Sequence, residues 1–256
     1  MIEKIVPATV ACAEAFADPP GAVLFPAEEA LVAGAAAKRR REFATGRHCA
    51  RMALAELGVA PAPVLRGEMG APRWPAGVVG SITHCAGYRA AAVARASDVL
   101  TTGVDAEPDE DLPAGVLDLI ALPGERERLR GLTAAAPGPC WDRLLFSAKE
   151  SVYKAWFPLT GRWLGFHDAD ITIDAAGGTF DVRLLAAAAA DRGFPLAGFA
   201  GRWLAEGGLI LTAVTLLSSG DDRGGQLLRP GTLTAARRRG KVVPVDHRVP
   251  KEQLWR

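Results

Sequence analysis

The sequence is poor in several things, and each shortage excludes a class of protein. Its four cysteines, at positions 12, 49, 85 and 140, form no CxxC pair. Thiols scattered in this way suit neither a disulfide frame nor a zinc site, so they are read as small buried hydrophobes in a reducing, cytoplasmic setting. No apolar run approaches the roughly 20 residues that a membrane-spanning helix needs; the longest runs are alanine-rich. The opening residues carry Glu3 and Lys4 with no apolar core directly behind them, so no signal peptide is expected. Charge of one sign is also scarce: the net charge is only +1. That small value hides an asymmetry, because residues 221–256 hold nine Lys/Arg against four Asp/Glu while the rest of the chain is mildly acidic. The basic run Arg237, Arg238, Arg239 and Lys241 is short and lies among Gly and Pro. Residues 219–256 are therefore expected to be a disordered tail rather than a nucleic-acid arm.

What remains is an ordinary globular composition, 49% apolar and 23% charged over 256 residues, enough for one large or two small domains. The most informative stretch is 141–157, WDRLLFSAKESVYKAWF. Leu145, Ala148, Val152 and Ala155 recur at helical spacing and predict a buried stripe, with Pro158 expected to stop the helix. Glu150 and Lys154 are one turn apart on another side, with Lys149 and Tyr153 beside them. Read alone, such a pair is a solvated surface pair.

Three further stretches change its weight. Pro26 and two glutamates open an alanine-rich helical segment that closes near Leu57 and Gly58, with Gly46 as a possible break. Within it, Arg40, Arg47 and Arg51 share a helix face and Arg39 lies close by. This is either a solvated basic face or a cradle in which guanidinium groups grip phosphate oxygens in pairs. Residues 59–77 form a Pro/Gly-rich loop containing Arg66, with Trp74 expected as an anchor on the core. Residues 77–84, GVVGSITH, then read as a strand ending in His84, followed by a turn at Ala86-Gly87 and a second strand. A third strand, VLTTGVDAE at 99–107, carries Asp105 and Glu107 on one face. Two carboxylates so placed repel unless a cation lies between them, and oxygen donors of this kind suit Mg²⁺. Later runs at 169–173, 179–185, 199–204 and 209–216 read as strands, with a hairpin turn at Glu206-Gly207-Gly208.

The expected fold is thus α+β, in two pseudo-symmetric halves, each a small antiparallel sheet packed on a long helix. The halves span 1–110 and 111–218. Two halves forming one cleft within a single chain favour a monomer.

An Arg-rich helix, a strand ending GSITH, a strand ending GVDAE and a helix FSAKESVYKAWF stand in this order. Together they resemble the 4′-phosphopantetheinyl transferases, and more narrowly the bacterial, enterobactin-type members. The resemblance covers about residues 25–216. It implies transfer of phosphopantetheine from coenzyme A to a serine of acyl or peptidyl carrier proteins. It implies Mg²⁺ held by the motif Asp105, Ala106 and Glu107, where Ala106 can offer only its carbonyl. Glu150 is implied as general base, with Lys149 and Asp105 beside it in the catalytic set. Arg39, Arg47, Arg66, Thr83, His84, Lys149, Glu150 and Lys154 are implied to hold the coenzyme and its phosphates. Arg162 and Trp163, just beyond the helix, are candidates for contact with the carrier.

Two other functions use parts of the same pattern. A Mg²⁺-dependent phosphodiesterase would direct the paired acids at water, but the His-rich or multi-Asp pattern of a two-metal site is lacking. A non-catalytic coenzyme A or carrier-binding protein would keep the cations and dispense with the acids, yet Asp105, Glu107 and Glu150 are all present.

Overall fold

The computed structural model describes residues 1–135, 138–185 and 196–218. The expected tail at 219–256 lies outside the described residues. In chain order the elements are β1 (Ala11–Ala15), α1 (Pro26–Glu29), α2 (Ala37–Glu56), β2 (Leu65–Arg66), β3 (Pro72–Arg73), β4 (Val78–Cys85), β5 (Tyr88–Arg95) and β6 (Val99–Pro108). Then come α3 (Val116–Ile120), α4 (Pro123–Ala135), α5 (Trp141–Thr160), β7 (Ala169–Asp174), β8 (Thr179–Leu184), β9 (Gly198–Glu206) and β10 (Leu209–Leu217).

The fold is α+β, with antiparallel sheets as the alternating patterns predict. One sheet has the order β1-β5-β4 and the other the order β6-β10-β9-β8-β7. Strand β5 shows why both of its faces are covered. Tyr88, Ala90, Ala92 and Ala94 point into a core shared with Val104, Ala106, Leu211 and Ala213. Its alternate residues Ala91 and Val93 meet Ala50, Ala53 and Leu54 of α2. Strand β10 alternates likewise: Leu209, Leu211 and Ala213 join β5, whereas Ile210 and Val214 pack under α5 with Leu145, Val152 and Trp156. Period-two patterning therefore sorts each strand's side chains between two cores.

One grouping differs from the sequence reading. Strand β6 was placed with the first half, but its ladder runs with β10, from Leu209↔Pro108 to Leu216↔Thr101. The linkage is long-range, and short loops upstream gave no signal of it. Strands β4 and β6 are the edges of their sheets, and side-chain hydroxyls stitch them together. The amide of Val104 donates to Ser81 Oγ at 3.1 Å and that of Ala106 to Thr83 Oγ1 at 3.0 Å. Hydroxyls on β4 thus satisfy amides that a sheet edge would leave bare.

Helix α5 does not stop at Pro158. Proline lacks an N–H and crowds the preceding turn, but here it sits in the last turn and the helix continues to Thr160. Gly161, at φ 65°, ends it in the left-handed conformation, its amide donating to the Phe157 carbonyl at 2.7 Å. Gly46 does not break α2; its bare Cα lets the helix lie against Ile82 of β4. The segment before α2 is instead a single turn, α1, followed by a 3-10 turn at Ala30–Val32.

Candidate functional site

Asp105 lies where β4, β6 and α5 meet and is almost fully buried. Its Oδ1 accepts from Lys154 Nζ at 2.6 Å and from Thr83 Oγ1 at 3.3 Å; its Oδ2 accepts from Ser147 Oγ at 2.9 Å. A buried carboxylate keeps its charge only with such partners. Glu107, two residues on and on the same face, takes Arg143 Nη1 at 3.1 Å. Burial, and then the neighbouring Asp105, still push Glu107 up to about 8. The side chain of Ala106 turns the other way into the core between the sheets.

The α5 side of the site follows from one helix stripe. Arg143, Ser147, Glu150 and Lys154 are spaced by four, three and four residues and so share a face. That face meets β6 because Gly103 and Thr101 permit close approach; Thr101 Oγ1 donates to the Ala155 carbonyl at 2.7 Å. Burial alone would lower Lys154, but Asp105, Glu150 and Glu107 outweigh it and hold the ammonium above the ordinary lysine range. One ammonium therefore answers three carboxylates.

Lys149 is not brought to this face. One residue is a 100° step around a helix, and its Nζ points into the protein. It pairs with Glu125 at 2.9 Å and donates to the carbonyls of Phe166 and Ala169 at 2.6 and 2.8 Å. Both members of the pair are buried, so the Lys149 ammonium, expected to bind phosphate, is turned to Glu125 and to two backbone carbonyls in this structure.

Beside Lys154 opens a cleft of about 270 Å³, walled by Arg39, Arg47, Arg66, His84, Tyr153 and Lys154 among others. Arg39 donates to His84 Nε2 at 2.8 Å, which requires that ring nitrogen to be unprotonated. The His84 ring keeps an exposed edge, yet burial and then the charge of Arg39 push its pKa down to about 4. Arg47 stacks over the Phe43 ring at 4.2 Å and donates its Nε to the Val64 carbonyl at 2.6 Å. Burial, with Arg66 and Arg39 nearby, lowers it to about 10, so it stays charged at neutral pH. Arg39 is lowered by burial and then by Arg66. Three guanidinium groups that repel one another across a cleft make a site for a multiply charged anion.

The other arginines of the expected basic face have different work. Arg40 donates to the Val32 carbonyl at 3.2 Å, and Arg51 pairs with buried Glu28 at 3.0 Å. Among the described residues no three His, Cys, Asp or Glu side chains form a group that could hold a metal ion, and no helix is long and apolar enough to cross a membrane.

Comparison with known proteins settles the family. Residues 27–94 match the 4′-phosphopantetheinyl transferase N-terminal domain, and residues 101–194 match the 4′-phosphopantetheinyl transferase superfamily. The chain is 53% identical over 219 residues to the 4′-phosphopantetheinyl transferase Svp of Streptomyces mobaraensis, covering 84% of this chain and 89% of that protein. It belongs to the 4′-phosphopantetheinyl transferase superfamily, and it is an enzyme of that class. It is also 53% identical over 224 residues to the transferase PptT of Mycobacterium tuberculosis, covering 84% of this chain and 98% of the relative. Enterobactin synthase component D of Salmonella typhi is 38% identical over 137 residues, 53% of this chain and 55% of that protein.

Sequence reasoning missed two members of the transferase's α5 stripe, Arg143 and Ser147. A signal existed: Arg143 stands two turns before Glu150, on the same helix face. Arg143 also donates to the Glu110 and Asp111 carbonyls at 2.9 and 2.8 Å, which fastens the chain leaving β6 onto α5.

Proposed function

We propose that the cleft binds coenzyme A and that the transferase moves phosphopantetheine from it to a serine hydroxyl of an acyl or peptidyl carrier protein. The observation that carries this reading is the convergence of Arg39, Arg47, Arg66, His84 and Lys154 on one cleft. Coenzyme A brings a diphosphate and a 3′-phosphate; the three guanidinium groups and the Lys154 ammonium would meet their charge, with the neutral His84 ring beside them. In this reading the cleft lies between a half spanning 1–110 and a half spanning 111–218.

The chemistry of the carboxylates, rather than their present arrangement, suits a divalent cation of the Mg²⁺ type: among the described residues they do not close into one metal-holding group, and Lys154 and Arg143 now occupy Asp105 and Glu107. Asp105 and Glu107 present oxygens from one face of β6, Glu150 comes from α5, and the raised pKa of Glu107 marks charge that a cation would relieve. These three carboxylates would hold it, and bound there it would offset charge on the diphosphate as a Lewis acid.

The remaining chemistry falls to the chain. Arg39, Arg47, Arg66 and His84 fix the phosphates, and Lys154 supplies a further positive charge. Thr83 holds both Asp105 and the Ala106 amide, which fixes Asp105 beside Lys154 of the cleft wall. Glu150 accepts the serine proton as the oxygen attacks the β-phosphorus of coenzyme A, and adenosine 3′,5′-bisphosphate leaves. Trp163, 47% exposed and with its ring tilted against that of Tyr153 of the cleft wall at 5.1 Å, is with Arg162 the proposed point of contact with the carrier.

Incubation with an apo-carrier protein, coenzyme A and Mg²⁺, read by intact mass, tests the whole reading. The expected result is a gain of one phosphopantetheine on the carrier, abolished by a chelator. Release of free phosphopantetheine with no carrier modified would replace transfer by hydrolysis. Glu150→Gln is expected to cut turnover strongly while leaving coenzyme A binding nearly intact.

A further inference from the structure

One buried carboxylate outside the cleft controls how a cleft residue is presented. Glu28, in the single turn α1, has no exposed surface. Its Oε1 accepts from the Val64 amide at 2.8 Å and its Oε2 from the Phe25 amide at 3.0 Å. Arg51 Nη1 bridges both oxygens, at 3.3 and 3.0 Å. Three segments distant in sequence are thus tied to one side chain: the approach to α1, the second half of α2 and the connection after it.

The second link passes through Val64. Its amide is held by Glu28, and its carbonyl accepts from Arg47 Nε at 2.6 Å. With Nε fixed there and the guanidinium stacked on Phe43, Arg47 is held in the wall of the cleft. Among the described residues its terminal nitrogens have no acceptor. Arg66, also in the cleft wall, follows Val64 by two residues on β2. The carboxylate therefore neutralises Arg51, which does not reach the cleft, and orients Arg47, which does.

We propose that Glu28 is a positioning residue for coenzyme A, acting through the Val64 peptide to aim Arg47 at the phosphates. This rests on the reading of the cleft as the coenzyme A site. A merely structural ion pair would look the same in a static structure, but it would not single out affinity for one substrate.

The test is a double-mutant cycle in the full chain with Glu28→Gln, Arg47→Ala and the combination. Coenzyme A binding by calorimetry is measured together with steady-state constants for both substrates and thermal midpoints. Glu28→Gln should raise the Kd and KM for coenzyme A about tenfold, with kcat and the carrier KM changed less than about twofold. On the Arg47→Ala background it should add less than about a further twofold. Independent, multiplicative effects would overturn the proposal, as would a loss of kcat with unchanged coenzyme A affinity. If Arg47→Ala weakens coenzyme A binding and Glu28→Gln does not, only the role of Glu28 fails. If Arg47→Ala leaves coenzyme A binding intact, the assignment of the cleft fails first. Should Glu28→Gln not fold, Glu28→Asp decides: it keeps the charge beside Arg51 but is one methylene too short to hold Val64 as well. It should raise the coenzyme A KM while melting near the parent, and an unchanged KM would overturn the proposal.

Discussion

The ammonium of Lys154 sits 2.6 Å from Asp105 Oδ1 and 3.1 Å from the Val104 carbonyl, so helix α5 is pinned to the edge strand it covers. Thr83 joins the same contact from β4, 3.3 Å from the ammonium. The arginine-lined cleft and the acidic pair are thereby adjacent, with Lys154 lining the first and touching Asp105 of the second. A substrate that brings both phosphates and a cation could engage the two sets together.

Lys154→Met keeps the aliphatic stem and removes the charge. Asp105 would then rely on the Thr83 and Ser147 hydroxyls alone, with Glu107 close by. We expect kcat/KM to fall about 100-fold and stability to fall by roughly 1–2 kcal/mol, below the roughly 3–5 kcal/mol of a fully buried pair because the Lys154 side chain is 24% exposed. Steady-state kinetics with urea unfolding would check both. A change in kcat/KM within about threefold would remove Lys154 from the reacting site.

Glu107 makes stability depend on pH in an unusual direction. Its pKa is about 8 in the folded chain, against an ordinary 4.5, because burial and then Asp105 oppose its charge. Between those values the folded state holds a proton that the unfolded state has released, so stability falls as pH rises through that window. The slope from this group is at most about 1.4 kcal/mol per pH unit. Thermal melts without divalent ions should show that decline, and Glu107→Gln should flatten it. Added Mg²⁺ should raise the melting temperature more at about pH 8 than at about pH 6, because it binds the ionised carboxylate. An equal slope in Glu107→Gln would locate the effect elsewhere.

Much of this arrangement was legible before any coordinates, and the illegible parts share a cause. Asp105 and Glu107 fall on one face of a strand by a rule of period two, and the β9–β10 turn closes on Gly207-Gly208 as its glycines imply. Trp74 anchors as expected, its indole donating to the Gly80 carbonyl at 2.9 Å. Pairing between β6 and β10 could not be read, because it joins residues about a hundred positions apart and depends on burial of both faces. The arginines of α2 looked equivalent by spacing, yet Arg40 and Arg51 are consumed by Val32 and Glu28 while Arg39 and Arg47 reach the cleft. Periodicity gives the face of a helix; it does not say which acceptors the neighbouring segments bring to that face. Lys149 shows the same limit, since Glu125 comes from a helix whose packing had no local signal.

That buried pair gives a prediction opposite in kind to the one for Lys154. Lys149→Met leaves Glu125, itself 1% exposed, without its cation. Removing one partner of a buried pair costs about 3 kcal/mol or more. The folded fraction should retain kcat/KM within about twofold, because no Lys149 atom faces the cleft. Adding Glu125→Gln should recover part of the loss, since it removes the unpaired buried charge while the amide oxygen still accepts from one of the Leu122 and Ile171 amides, which Glu125 now serves with separate oxygens. A large loss of kcat/KM at unchanged stability would return Lys149 to the phosphates.

Gly103 offers the most direct way to separate the two halves of the site without touching a charged group. A Cβ there would collide with the Ser151 carbonyl oxygen and the Ala155 amide nitrogen and would lie 3.0 Å from the Lys154 carbonyl carbon. These are backbone atoms of a packed helix, so no rotamer change relieves the clash and α5 must move away from β6. Ser151 and Ala155 directly follow Glu150 and Lys154, so the movement carries both away from Asp105. Gly103→Ala should therefore lower stability by about 2 kcal/mol or more and reduce kcat about tenfold or more, through lost alignment rather than lost chemistry. Gly131→Ala is the matching control: Gly131 lies in α4 with nothing within 4 Å of its added Cβ, and alanine there should stabilise the helix by about 0.5–1 kcal/mol. Calorimetry and single-turnover transfer measured on both variants would check the pair. A Gly103→Ala enzyme as stable and as fast as the parent would mean that α5 does not need to lie this close to β6.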